Sequence, residues 1–415
     1  MKQIKLSHVS GEFIALMALL MCMVALSIDA VLPALGPMAS ALNVSDTNQI
    51  QLVIAVVYAG MAVGQLFYGF LADAKGRKVA IYLGIAVFVL GSLVALWSDT
   101  LEMMLIGRFM QGLGAAGPRT ITLAIIRDQY KGNEMARVLS LVMTVFIISP
   151  VIAPLIGQGV LWLFGWREIF IFLLGLATVA WLWFWLRQPE TLAVDDRTPF
   201  SVKETGRHLR GMVSERSAVC YMLALGFIFG AFIGFLNSVQ PVLQGIYQMG
   251  AAFPVLFATL TISFAGASYL NSRLVMRFGT RRLALTAALA VAGLSFVMYL
   301  ISLMLQGTPP LWGLMIYLWA TLFFVGLQFG NLNAMAMEPF GHIAGTASAV
   351  IGNISTLLAV VFGTLVGQLF DGSVLPLVAG FGLLASGSAF FIHRACVINS
   401  VRSPESQSER SHLTQ

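Results

Sequence analysis

Between Phe13 and Val44 the chain carries a single charged residue, Asp29. Long charge-poor runs of this kind recur along the whole sequence. They fall near 13–33, 49–72, 79–97, 102–126, 138–162 and 168–186. A polar stretch follows at about 187–216, with Arg187, Arg197, Lys203, Arg207, Arg210 and Arg216. Residues 217–272 are free of charge, long enough for two spans joined by a hairpin near Gln248–Pro254. Residues 283–337 hold two more, broken at Gln306–Pro310, and the last two lie near 346–370 and 375–393. About 20 apolar residues cross a bilayer as a helix. The alternating segments of about ten residues that mark barrel strands are not the pattern here. The expectation is an all-α membrane protein with twelve transmembrane helices. They form two pseudo-symmetric six-helix halves, 1–187 and 217–395, around a linker at 188–216 and before a tail at 396–415.

Composition agrees: 58% of the residues are hydrophobic and 10% charged, against about 25% charged in soluble domains. The charge also sets an orientation. Of the 24 Lys and Arg, all but Arg108, Arg119, Arg167 and Arg273 fall in segments that share one side if the N-terminus is inside. Cytoplasmic loops carry the excess of Lys and Arg, so both termini are expected in the cytoplasm. This asymmetry accounts for the basic balance, and no nucleic-acid partner is expected. Ala39-Ser40-Ala41 looks like a signal-peptidase site, but the apolar run before it is longer than a signal core of about 7–15 residues. A retained first span is expected. Cys22, Cys220 and Cys396 lie far apart with no CxxC, and the histidines form no paired motif. Neither a disulfide framework nor a metal site is expected.

A faint repeat relates the halves. L71-ADAKG-RK aligns with L274-VMRFG-TR at an offset of 203 residues, Gly76 on Gly279, although Met276 stands where Asp73 would. Two related halves suggest a transporter with its site between them near mid-membrane.

The loop after span 2 reads GFLADAKGRKVAI. It resembles the signature of the major facilitator superfamily, G-x-L-x-D-x-x-G-R-K, and carries Gly69, Leu71, Asp73, Gly76, Arg77 and Lys78 in register. The two glycines permit close packing and a tight turn, and Asp73 suits a helix N-terminus. LIGRFMQGLGAAGPR, at 105–119, resembles the same superfamily's R-x-x-Q-G motif, with Arg108, Gln111, Gly112 and Gly114 matching. Its small residues offer a surface for close helix packing. SPVIAPLIGQG, at 149–159, resembles the antiporter motif G-P-x-x-G-G of drug exporters, with the first and last glycines replaced. Pro150 and Pro154 are expected to bend this helix, with Gly157 as its retained glycine.

Further matches resemble the bicyclomycin-resistance type of drug/proton antiporter: Asp29 with Pro33, Arg127-Asp128 with Tyr130, Gly165-Trp166-Arg167, and Ala344-Gly345-Thr346-Ala347-Ser348-Ala349. That resemblance implies a bacterial inner-membrane location and a cavity lined by spans 1, 4, 7 and 10. It also implies that Asp73 faces the start of span 11 near Thr346 and that Arg77 pairs with Asp128, both latching a cytoplasmic gate.

Asp29 is the acid placed deepest in a span; Glu338, at the inner end of span 10, is second choice. At 1.5 Å per residue, Asp29 lies roughly 24 Å from the cytoplasmic side and Arg108 roughly 9 Å from the other, in a core about 30 Å thick. The two share a depth, and an ion pair between them is expected. Such a carboxylate either titrates during transport or statically holds Arg108. Its protonation balances desolvation, which favours the neutral acid, against a neighbouring cation, which favours the ion. That balance changes as a cavity opens and closes. Arg119 lies three turns and about 20° from Arg108 on the same helix face. It either contacts substrate or snorkels to the interface.

Asn237, Gln240, Gln328, Asn331 and Asn333 are the uncharged polar candidates for the cavity wall. Asp29 with Arg108 and Arg119 sums to one positive charge, which disfavours a lipophilic cation. The expected function is proton-coupled export of a small neutral or anionic organic solute by alternating access. The proton gradient is the energy source, no cofactor is expected, and the unit is a monomer in the lipid bilayer. An uptake symporter on the same scaffold is the alternative, and a non-transporting sensor a third. No nucleophile–base pair points to an enzyme.

Overall fold

The structure, a computed structural model, describes residues 11–197, 211, 212 and 214–402; at 47, 133, 136, 196, 341–346 and 399–402 it does so without side chains. Of the linker and terminal basic residues, Lys2, Lys5, Lys203, Arg207, Arg210 and Arg410 lie outside the described residues.

Among the described residues, twelve long helices carry the chain. The first is interrupted: α1a (Gly11–Asp29) leads through a 3₁₀ turn (Leu32–Ala34) into α1b (Leu35–Ala41). Then come α2 (Thr47–Lys75), α3 (Arg77–Leu96), α4 (Leu101–Gln129), α5 (Gly132–Leu163), α6 (Arg167–Arg187), α7 (Arg216–Gln240), α8 (Phe253–Phe278), α9 (Thr280–Met304), α10 (Leu311–Met337), α11 (Ala344–Gln368) and α12 (Leu375–Arg402). Several keep within about three residues of the charge-free stretches, and α1b, α5, α8 and α12 run a turn or more beyond them. Eleven of the spans are long and apolar enough to cross a membrane. The remaining helix, α4, is 29 residues long; Arg108, Gln111, Pro118 and Arg119 lower its hydropathy.

Contacts divide the chain into two compact units. One comprises Met1–Asp46 and Val56–Phe200; the other comprises Thr47–Ala55 and Ser201–Gln415. The boundary differs from the expected halves, since the first residues of α2 belong with the second unit. There Asn48 Nδ2 donates to the carbonyls of Gln368 (3.0 Å) and Phe370 (2.9 Å), and Gln368 Nε2 donates to the Asn48 carbonyl (2.6 Å).

The 203-residue repeat is visible in the backbone. Gly76, between α2 and α3, has φ 104°, and Gly279, between α8 and α9, has φ 78°. Both turns use the left-handed region, which glycine enters without steric cost.

In the first unit the small residues of α4 set the packing. A Cβ at Gly112 would lie 1.9 Å from the Val57 carbonyl oxygen of α2, and one at Gly114 would lie 2.3 Å from the Phe88 nitrogen of α3. Backbone therefore meets backbone on two sides of α4, as the motif's small surface predicts.

Candidate functional site

Asp29 is the last α-helical residue of α1a and is 4% exposed. The helix stops here for a local reason: Pro33 has no N–H to donate to the Asp29 carbonyl. The last four carbonyls of a helix lose their helical partners. That of Ser27 accepts instead from Arg108 Nη1, at 2.8 Å. The same nitrogen donates to Gln111 Oε1 at 2.7 Å, and Gln111 Nε2 donates to Ser92 Oγ at 2.7 Å. Ser92 in turn donates to the Phe88 carbonyl at 2.8 Å. A buried polar chain thus joins α1a, α4 and α3.

The expected Asp29–Arg108 ion pair is not formed. Among the described residues the ion pairs are Arg77–Asp73, Arg77–Asp128, Arg167–Asp99 and Arg187–Glu12. Depth arithmetic placed Arg108 at the correct level, two residues from Asp29. It did not anticipate that the helix break would present a backbone carbonyl first.

Arg119 sits ten residues from the end of α4, roughly 15 Å along it. Its Nη1 lies 3.1 Å from Met61 Sδ, and its Cζ is 5.9 Å from the centre of the Phe146 ring. The guanidinium stays beside the middle of α2 and does not snorkel. A thioether is a weak acceptor, and an aromatic face attracts a cation without neutralising it. Tyr58, 7% exposed, lies one turn before Met61 on α2. Tyr58, Met61 and Phe146 escaped the sequence reading because an apolar run hides which of its residues face inward.

The antiporter-like segment touches Asp29's own turn. A Cβ at Gly157 would lie 1.9 Å from the Ala30 carbonyl oxygen, so α5 rests directly on the backbone beside Asp29. Pro150 and Pro154 lie inside α5, which continues as one helix from Gly132 to Leu163. Pro150 cannot serve the Phe146 carbonyl four residues back; Ser149 Oγ donates to it at 2.8 Å.

At the other end of the unit, Arg77 Nε donates to Asp128 Oδ2 at 3.1 Å and Nη1 to Asp73. The Arg77–Asp128 pair is the one the resemblance implied. The contact implied for Asp73 involves Thr346, whose side chain lies outside the described residues. Lys78 Nζ stands 5.8 Å from the centre of the Tyr82 ring. Gly69 has no neighbour within 4 Å of a Cβ built there, so close packing is not its role.

The sequence reading missed Glu190. Its carboxylate accepts from the amides of Arg77 (2.9 Å), Lys78 (3.0 Å), Thr191 (3.0 Å) and Leu192 (3.1 Å). Partial burial pushes this carboxyl up, but four amide donors outweigh it and hold the group below its ordinary range.

In the second unit the amide candidates bond to protein neighbours. Asn237 donates to the Gly363 carbonyl at 3.1 Å and Gln240 to Gln244 at 2.8 Å. Gln328 donates to the Phe324 carbonyl at 3.3 Å, and Asn331 exchanges bonds with Asn271 at 2.8 and 3.2 Å. Buried amides demand such partners. Asn333 and Glu338 are exposed.

The arrangement has no nucleophile–base geometry; it offers a buried carboxylate, a tyrosine and a softly held guanidinium in one helical unit. Comparison with known proteins gives this its context. Residues 17–364 match the model of the Major Facilitator Superfamily. The chain is 30% identical over 395 residues to the bicyclomycin resistance protein homolog of Haemophilus influenzae, covering 94% of each. It is 29% identical to multidrug resistance protein D of Escherichia coli, covering 85% of this chain and 88% of that one. Among solved structures, the xylose transporter XylE from E. coli matches with a TM-score of 0.71 at 12% identity, over 92% of this chain and 97% of that one. The human organic anion transporter MFSD10 matches with a TM-score of 0.68 at 14% identity, over 94% and 100%. These last two speak to the fold alone. A signature loop in register, the twelve-helix build and a match across most of its length make this chain a member of the major facilitator superfamily: a multi-pass membrane transporter and not an enzyme.

Proposed function

We propose that the protein exports a small organic solute from the cytoplasm of a bacterium across its inner membrane, by alternating access and in exchange for protons. Both termini lie in the cytoplasm. The observation that carries this reading is Asp29: a carboxylate 4% exposed, at a helix break, with no ion-pair partner among the described residues. An ionised carboxylate left this way pays a desolvation penalty that a proton relieves. A group of this kind loads a proton in one state of the cavity and releases it in the other. The drug-resistance names of two relatives support export of an organic solute.

A neutral solute fits exchange directly. If it needs the ionised Asp29 as a hydrogen-bond acceptor, proton and solute exclude each other. Transport into inverted vesicles tests direction and coupling: accumulation that collapses when the pH gradient is dissipated supports proton-coupled export, no accumulation contradicts export, and accumulation independent of the gradient contradicts the coupling.

Arg119 favours a second reading. A proton on Asp29 leaves the Arg119 charge less compensated and strengthens that site for an anion. By reciprocity, an anion at Arg119 favours the protonated Asp29. Positive linkage of this sign belongs to co-transport, so an acidic solute makes the protein an uptake symporter.

A further inference from the structure

Helix α3 is held at both ends by residues that flank α6. At its start, the Glu190 carboxylate takes the amides of Arg77 and Lys78 at 2.9 and 3.0 Å. At its end, Arg167 Nε donates to the Leu96 carbonyl at 3.2 Å, and Nη2 to the Ser98 carbonyl and Asp99 Oδ1, both at 2.9 Å. Arg167 opens α6, and Glu190 lies three residues past its end. The signs are those the helix dipole favours: an anion at the amino end and a cation at the carboxyl end. α3 and α6 also pack against each other.

Glu190 does more than close a helix. The next residue, Thr191, donates through Oγ1 to Asp128 Oδ2 at 2.8 Å. That same oxygen accepts from Arg77 Nε at 3.1 Å. Gly76 makes room for the arrangement, since a Cβ there would lie 2.6 Å from Glu190 Oε2. One dipeptide therefore grips both partners of the Arg77–Asp128 pair, one through its backbone amide and the other through its carboxylate.

We propose that Glu190 is a positioning residue of the Asp73–Arg77–Asp128 trio: with Thr191 it fixes Arg77 and Asp128 against each other, and α3 and α6 move as one strut during transport. This holds whether or not Asp29 titrates.

The test uses the purified full chain with ¹⁵N-labelled arginine and lysine. The Arg77 Nε–H signal reports its bond to Asp128, and Asp128→Asn fixes the position of the unbonded signal. Glu190→Gln keeps the shape but loses the charge and one acceptor; Thr191→Val removes only the hydroxyl bond. Glu190→Gln is expected to speed amide exchange at Arg77 and Lys78 roughly tenfold, the scale of a lost charge-assisted bond. Both variants are expected to shift the Arg77 signal toward the unbonded position, Thr191→Val without the change in amide exchange. If Glu190→Gln speeds exchange while the Arg77 signal stays put, Glu190 is a local cap and the proposal fails. Should Glu190→Gln not fold, Thr191→Val decides alone, and an unmoved Arg77 signal overturns the proposal.

Discussion

Gly157 of α5 rests on the backbone of Ala30, the residue after Asp29, so closely that a Cβ would lie 1.9 Å from the Ala30 carbonyl oxygen. The retained glycine of the antiporter-like motif and the acid of the first helix are thus one structural feature. Gly157→Ala forces the two backbones apart. Overpacking of this kind costs about 1–3 kcal/mol. The expected outcome is a lower melting temperature together with impaired transport, while Gly159→Ala, which meets nothing within 4 Å, changes neither. Thermal unfolding of the two variants side by side checks this.

Asp29 and Arg108 are expected to differ in what they do for stability. Arg108 is fully buried and bonds to Ser27 and Gln111. Gln111→Leu strips one of those bonds and leaves a buried donor unmet, at a cost of about 1–3 kcal/mol. Asp29→Asn breaks no ion pair, opens no cavity and keeps the side-chain shape, so it is expected to leave the melting temperature within about a degree or two of wild type. Were Asp29 a static partner of Arg108, its substitution would destabilise as strongly as Gln111→Leu.

Arg119 separates the two classes of solute. A thermal-shift screen of organic acids and neutral compounds at pH 6 and pH 8 reads the linkage directly. Acids that stabilise the protein more at pH 6 than at pH 8, and lose that effect in Arg119→Gln, place the protein among symporters. Neutral compounds that stabilise more at pH 8, and do so in Arg119→Gln as well, place it among exchangers.

Glu190 predicts an acid dependence. Its folded carboxyl titrates below its ordinary range, so its contribution to stability is complete above about pH 4.3, the unfolded value. It is lost as pH falls through the lower folded value. Glu190→Gln is expected to flatten the dependence of the melting temperature in that acid window and leave the rest of the profile parallel to wild type.

Much of the fold was legible because charge placement along a membrane span is a one-dimensional signal. The spans near 79–97 and 375–393 have observed helices that start within two residues of the expected positions. The Gly76 and Gly279 turns were legible for the same reason: a positive φ leaves a glycine in the sequence. The site was legible only in part. Asp29 and Arg119 stood out as charges in apolar surroundings, which are costly and therefore conspicuous. Tyr58 did not, since a tyrosine in a span is unremarkable until its neighbours are known. Glu190 bonds to Arg77 across 113 residues of sequence, and no local pattern encodes that. The expected Asp29–Arg108 pair failed because Arg108 bonds the Ser27 carbonyl at the helix break instead, a contact across 81 residues of sequence.

Proton-coupled export by this protein rests on Asp29 as the proton carrier. Its most direct test is proton flux into proteoliposomes holding the full chain, wild type against Asp29→Asn, with a pH gradient imposed and a stabilising compound from the screen supplied on the opposite side. The expected result is compound-dependent proton entry with wild type and none with Asp29→Asn, although the variant is folded and still binds the compound. Proton entry by Asp29→Asn at the wild-type rate would contradict the account.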